Sequence, residues 1–160
     1  MKYCKQSTEE HPLCKMFPSY LESINTIINN EGGTHQPFND EVALNLDKIK
    51  SNSGNTHIKK MKSMDMVICV IDNDDKVHSL LIDYKLNCNG TKSLSDGDCR
   101  DKIKHSTIIL FGSGIPIYNK YVFIFKDELL EQSRSIISRV LNNATIEVLN
   151  INEFRTNYFD

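Results

Sequence analysis

Asp65, in the run KSMDMVICVI, and the pair Asp83 and Lys85, in LLIDYKL, are charged residues set inside strongly apolar stretches. An ionised carboxylate loses its hydration in such surroundings and is costly there unless something compensates its charge. Two carboxylates can hold Mg²⁺ or Mn²⁺ through a few oxygens, leaving the remaining coordination positions to water and a substrate phosphate. A metal so held lowers the pKa of a bound water and neutralises charge growing on the phosphate. A lysine beside it orients or deprotonates the attacking water, or stabilises the phosphate as a point charge. Phosphodiester hydrolysis is the reaction these parts suit.

The elements that must position the trio are two β-rich runs, MDMVICVI and KVHSLLIDYKL, around the turn cluster Asp72-Asn73-Asp74-Asp75. They predict a hairpin, and their apolar density places it at the centre of a sheet. Letting Ile71 face Val77 sets Asp65 opposite Asp83, one inter-strand distance away. Lys85, two residues on, projects from the same face as Asp83.

Around the hairpin the chain reads as one α/β domain over residues 18–160, after a flexible segment over 1–17. Pro18 opens a helix through PSYLESINTIINNEGG, which Gly32 and Gly33 stop. A second helix is expected from Asn39 as N-cap, with Asp40 and Glu41 in its first turn and Val42, Leu46 and Ile49 on one face; 51–56 is a loop. The polar stretch NCNGTKSLSDGD follows the hairpin as another loop. DCRDKIKHSTIILFGSG suits a helix with Ile103, Thr107, Leu110 and Phe111 on one face and Gly112 as C-cap, or a strand at Thr107-Ile108-Ile109. YVFIF is a strand. DELLEQSRSIISRVLNN is a helix with Leu129, Leu130, Ile136, Ile137, Val140 and Leu141 on its apolar side, and TIEVLNI is a final strand.

Asp65 on one central strand and Asp83-Tyr84-Lys85 on the next resemble the metal site of the PD-(D/E)xK nuclease superfamily. There an acidic residue begins or bends one strand, and Asp/Glu-x-Lys lies on its neighbour. Met64 stands where that family has a loosely kept proline, and Asp83 replaces the more usual glutamate. The resemblance spans residues 18 to 150 in outline. It implies a mixed central sheet flanked by helices with the restriction-endonuclease-like order α-β-β-α-β-α-β. It further implies Asp65 and Asp83 as Mg²⁺ or Mn²⁺ ligands, Lys85 as the third catalytic residue, and nucleic acid as substrate, DNA ahead of RNA. Some members add a glutamate from the leading helix, for which Glu22 and Glu41 are both candidates.

Composition sets bounds on these readings. The 160 residues carry a formal net charge of −2 and a pI near 6.2, so any nucleic-acid contact rests on a local patch rather than on a global basic field. Lys59, Lys60 and Lys62 before the hairpin and Arg100, Lys102 and Lys104 after it are the basic clusters; such clusters are more often a solvated surface. No stretch approaches the ~20 apolar residues of a membrane span and the first residues lack a signal-peptide core, so a cytoplasmic protein with reduced cysteines is expected. Cys88, Cys99, His78 and His105 match no zinc spacing, and FGSGIP reads as a helix end and turn rather than a phosphate loop. The competing functional class is a non-catalytic protein-binding domain on a similar scaffold, an immunity or antitoxin-like partner in a bacterial conflict system.

Overall fold

In the computed structural model, which describes residues 1–91, 96–141 and 145–160, the hairpin lies in the middle of a mixed seven-stranded sheet. Its arms are β4 (Met66–Ile71) and β5 (Val77–Lys85), paired antiparallel with Ile71 opposite Val77 and Met66 opposite Ile82. This is the register the sequence predicts. The turn between them is closed by Asp72, whose Oδ1 accepts the N–H groups of Asp74 and Lys76, and Asp75 takes a left-handed conformation.

The other strands are β1 (Lys2–Tyr3), β2 (Leu21–Ser23), β3 (Val42–Asn45), β6 (Ile117–Phe125) and β7 (Ile146–Leu149), in the order β2-β3-β4-β5-β6-β7. β1 joins the β3 side of β4, where Tyr3 pairs with Val70 beyond the point at which Leu44 pairs with Val67. Pairing is antiparallel from β2 to β5 and parallel from β5 to β7.

Alternation along the central strands separates two apolar layers. Ile68, Leu80, Ile82, Val122 and Ile124 face α3 (Ile24–Asn30) and α8 (Ile151–Tyr158). Val67, Leu81, Phe123 and Phe125 face α4 (Leu46–Asn52), α6 (Asp96–Leu110) and α7 (Leu130–Leu141). Asp83 and Lys85 continue the second face beyond Leu81.

Several expected elements differ. The leading helix is broken into a 3-10 turn at Pro18–Tyr20, β2, and then α3, because Leu21–Ser23 pair with β3 and the Ser23 hydroxyl caps the helix at Thr26 N–H. The helix expected from Asn39 begins instead at Leu46. Val42–Asn45 complete the sheet beside β4, and Asn45 caps α4 through Lys48 N–H. The expected loop at 51–56 contains the end of α4 and the start of α5 (Thr56–Lys60). The segment left open between helix and strand is helical in α6, with Gly112 in a left-handed conformation behind it, yet Phe111 is exposed rather than on the buried face. β7 is followed by α8, capped reciprocally by Asn150 and Glu153. The side chains of Val140 and Leu141, the helix end at Asn142 and Asn143, and residues 92–95 of the polar loop lie outside the described residues.

Residues 1–17, expected as a loose lead-in, form β1, α1 (Lys5–Glu9) and α2 (Pro12–Met16) and bury Thr8, His11 and Cys14. His11 caps α2 by accepting Leu13 N–H at Nδ1, while Nε2 is buried without a hydrogen-bond partner among the described residues. Burial lowers its pKa from 6.5 to about 4. Below pH 6.5 the unfolded chain takes up a proton that the folded chain refuses, so stability falls as pH falls through this window. Between pH 7 and pH 5 the loss is about 2 kcal/mol. Urea unfolding of His11→Asn, which keeps an acceptor for Leu13 N–H, is expected to show that much less acid sensitivity; an unchanged pH slope would remove His11 as the cause.

Candidate functional site

Asp65 sits at the residue before β4. Its N–H donates to Ile82 O at 3.0 Å, its own carbonyl accepts Leu46 N–H, and its Oδ2 accepts Tyr84 N–H at 2.5 Å. The backbone thus ties the carboxylate across the hairpin to the strand that carries Asp83. Asp83 is fully buried and Asp65 6 % exposed. Lys85 Nζ lies 2.6 Å from Asp83 Oδ2 as an ion pair, and among the described residues that buried oxygen has no hydrogen-bond partner. The expected trio is therefore brought together on one face.

Three further groups reach the same point. Lys102, from α6, donates to Asp83 Oδ1 at 2.5 Å and stands 3.8 Å from Asp65 Oδ1. Glu31 at the end of α3 and Asp47 in the first turn of α4 each place a carboxylate oxygen within 4.8 Å of the other and of Asp65. Asp47 is held by Lys50 at 2.6 Å and by the Ser63 hydroxyl at 3.1 Å. Four carboxylates (Glu31, Asp47, Asp65, Asp83) thus meet three ammonium groups (Lys50, Lys85, Lys102), leaving one negative charge uncompensated among these residues.

Burial first, and like charge second, disfavour ionisation of two of these acids. Burial, and then the charge of Asp83, hold the Asp65 pKa well above the ordinary carboxylate range. Partial burial and the neighbouring Asp47 raise Glu31 in the same direction. Burial works against the Lys102 ammonium, but the charges of Asp83 and Asp65 outweigh it and raise its pKa. The donors are all hard oxygens, the set that suits Mg²⁺ or Mn²⁺, and their mutual repulsion is what a divalent cation would relieve.

Neither Glu22 nor Glu41, the two glutamates anticipated, is among the acids clustered with Asp65. Glu22 accepts from Asn45 Nδ2 and Lys48 Nζ, and Glu41 accepts Asn39 N–H and lies near Arg155. The glutamate that stands near Asp65 is Glu31, directly before the Gly32-Gly33 stop of α3. Gly32 has φ +83°, and a Cβ there would lie 1.7 Å from the Asn87 side chain. Gly32→Ala is expected to cost about 1–2 kcal/mol through the left-handed backbone alone, read as a lower denaturant midpoint.

Lys102, expected in a surface basic cluster with Arg100 and Lys104, faces the two strand acids instead, on the buried stripe marked by Cys99, Ser106 and Leu110. Lys59, Lys60 and Lys104 are exposed, and Lys62 bridges to Asp98 at 2.6 Å. His78 pairs with Asp72 near the hairpin turn, Cys99 is buried, and His105 faces the Lys62 carbonyl; among the described residues they belong to no metal-ligand cluster. A cavity of about 540 Å³ is lined by Gly32 and Leu86, the residues that follow Glu31 and Lys85 in the chain, with His35, Lys126 and Asn152 among others. It lies at the carboxyl ends of the parallel strands, where α/β sheets commonly take ligands. Among the described residues, no helix is long and apolar enough to cross a membrane.

No protein-family model, curated protein or solved structure matches this chain.

Proposed function

We propose that this protein is a small divalent-metal-dependent nuclease that hydrolyses phosphodiester bonds, built on a restriction-endonuclease-like core. The observation that carries this reading is the convergence of Asp65, Asp83 and Lys85 at one buried point, joined there by Glu31, Asp47 and Lys102. Asp65 and Asp83 are buried in the apolar sheet, and a fold does not keep two carboxylates there for stability, since each costs several kcal/mol to desolvate. Asp65 and Asp83, with Glu31 and Asp47 on the Asp65 side, would hold Mg²⁺ or Mn²⁺. When bound, the metal supplies Lewis-acid activation of water and charge neutralisation at the phosphate.

The chain's own groups do the rest. Lys85, fixed by β5 beside Asp83, positions the attacking water or a non-bridging phosphate oxygen. The hairpin backbone keeps the Asp65 carboxylate aimed, through Tyr84 N–H. The cavity beyond Leu86 gives a nucleotide flanking the scissile bond somewhere to rest, and Lys59, Lys60 and Lys104 offer backbone phosphates a local basic surface. DNA is the expected substrate.

The competing reading, a non-catalytic immunity or antitoxin-like binding domain, draws on Phe111, 89 % exposed at the end of α6, with Ile108 part-exposed one turn before it. It leaves the buried charges without a role. Cleavage of plasmid, single-stranded DNA and RNA, with Mg²⁺ or Mn²⁺ and with chelator, decides between them. Metal-dependent cutting supports the nuclease. A protein that cuts none of these substrates but forms a tight one-to-one protein complex supports the alternative.

A further inference from the structure

Both oxygens of Asp83 face lysines: Oδ1 accepts from Lys102 Nζ at 2.5 Å, and Oδ2 lies 2.6 Å from Lys85 Nζ. Lys102 also stands between the two acids, 3.8 Å from Asp65 Oδ1, while the other Asp65 oxygen is taken by Tyr84 N–H. A cation shared by Asp65 and Asp83 would need the oxygens that Lys102 now addresses. An ammonium and a divalent ion at that spacing repel each other strongly in a buried setting. We propose that the Lys102 ammonium occupies the seat of the cation shared by Asp65 and Asp83, so that metal loading displaces it and Lys102 sets the affinity of the centre. The proposal rests on the metal-centre reading above.

The surroundings suit an exchange by side-chain movement. α6 is pinned on both sides of Lys102: the buried Ser106 hydroxyl accepts Met64 N–H at 2.8 Å, Lys62 bridges to Asp98, and Cys99 and Leu110 are buried in the core. The helix stays in place, and a flexible four-carbon stem lets the ammonium move several ångströms. The Lys102 side chain is 18 % exposed, which gives it a path to solvent. Lys85 is less suited to leave, because it belongs to the same strand and face as Asp83 and is 13 % exposed. Once displaced, the Lys102 ammonium stands at the rim of the centre, where it can meet an incoming phosphate.

The test is calorimetric titration of Mn²⁺ into the wild type, Lys102→Met, Lys102→Gln and Lys102→Arg, with folding checked by circular dichroism. The two neutral variants are expected to bind Mn²⁺ about tenfold or more tightly than the wild type, whereas the arginine variant shows no gain. Adding Asp83→Asn to Lys102→Met should erase the gain, because the advantage acts through that carboxylate. Binding by the neutral variants alone, with none by the wild type, supports the same conclusion in stronger form. Neutral variants with wild-type or weaker affinity overturn the proposal and leave the metal centre standing. No binding by any of the proteins overturns both.

Discussion

Asp83→Asn is expected to lower the metal-dependent cleavage rate by about 10²–10³-fold, equivalent to ~3–4 kcal/mol of transition-state stabilisation. The asparagine fills the same fully buried space, so the change is one of charge rather than of packing. It removes one of the two strand carboxylates and also releases Lys85, whose ammonium is held 2.6 Å from Oδ2. Loss of the carboxylate leaves two ammonium groups facing a neutral amide, so the variant will be less stable as well. For that reason the rate is measured under single-turnover conditions and scaled to the folded fraction. Lys85→Met serves as the companion, because it keeps the carboxylate and removes the cation. A loss of similar size in both folded variants supports the proposed roles; cutting at the wild-type rate by either would make that residue structural.

The strand half of the site was legible because its determinants are local. Two apolar runs around Asp72-Asn73-Asp74-Asp75 allow one register that buries both, and that register places Asp65 and Asp83 across from each other. The helical half depended on docking. Whether Lys102 points at the sheet or at solvent is decided by how α6 lies on Phe123 and Phe125, and the mixed Cys, Ser and Thr composition of its inner stripe left that face hard to read. β3 was lost for a related reason: Val42-Ala43-Leu44-Asn45 is short, and pairing with β4 outweighs its helical spacing. Glu31 and α8 differ from one another. The Asn150-x-x-Glu153 capping pattern stands in the residues themselves and marks the final helix, whereas the glycine stop marks only where α3 ends, and it is the docking of α3 that brings Glu31 to Asp65.

Asp65→Asn should separate the stability of this centre from its use. In the wild type burial works most against the charge of this carboxylate, followed by Asp83 and the neighbouring Glu31, while Lys102 at 3.8 Å and the Tyr84 N–H favour it. The asparagine can still accept Tyr84 N–H through its own oxygen, so the hairpin keeps its cross-strand bond while the repulsion disappears. Without added metal the variant is therefore expected to be more stable than the wild type by about 1 kcal/mol, the usual size of gain when a strained functional group is neutralised. Added Mn²⁺ reverses the order. At a hundred times its dissociation constant the ion stabilises a protein that binds it only when folded by about 3 kcal/mol, which at this chain length is a rise of about 6–10 °C in the melting temperature. The wild type should show that rise, and Asp65→Asn little or none of it. Calorimetric melting of both proteins, with and without Mn²⁺, measures the two effects together. If the variant melts lower without metal, Asp65 is held by its neighbours as a structural ion pair. If the variant gains as much from Mn²⁺ as the wild type, the cation sits elsewhere. Either result would leave the strand carboxylates without the part assigned to them, whereas the crossed pattern ties the destabilised acid and the metal to one place in the sheet.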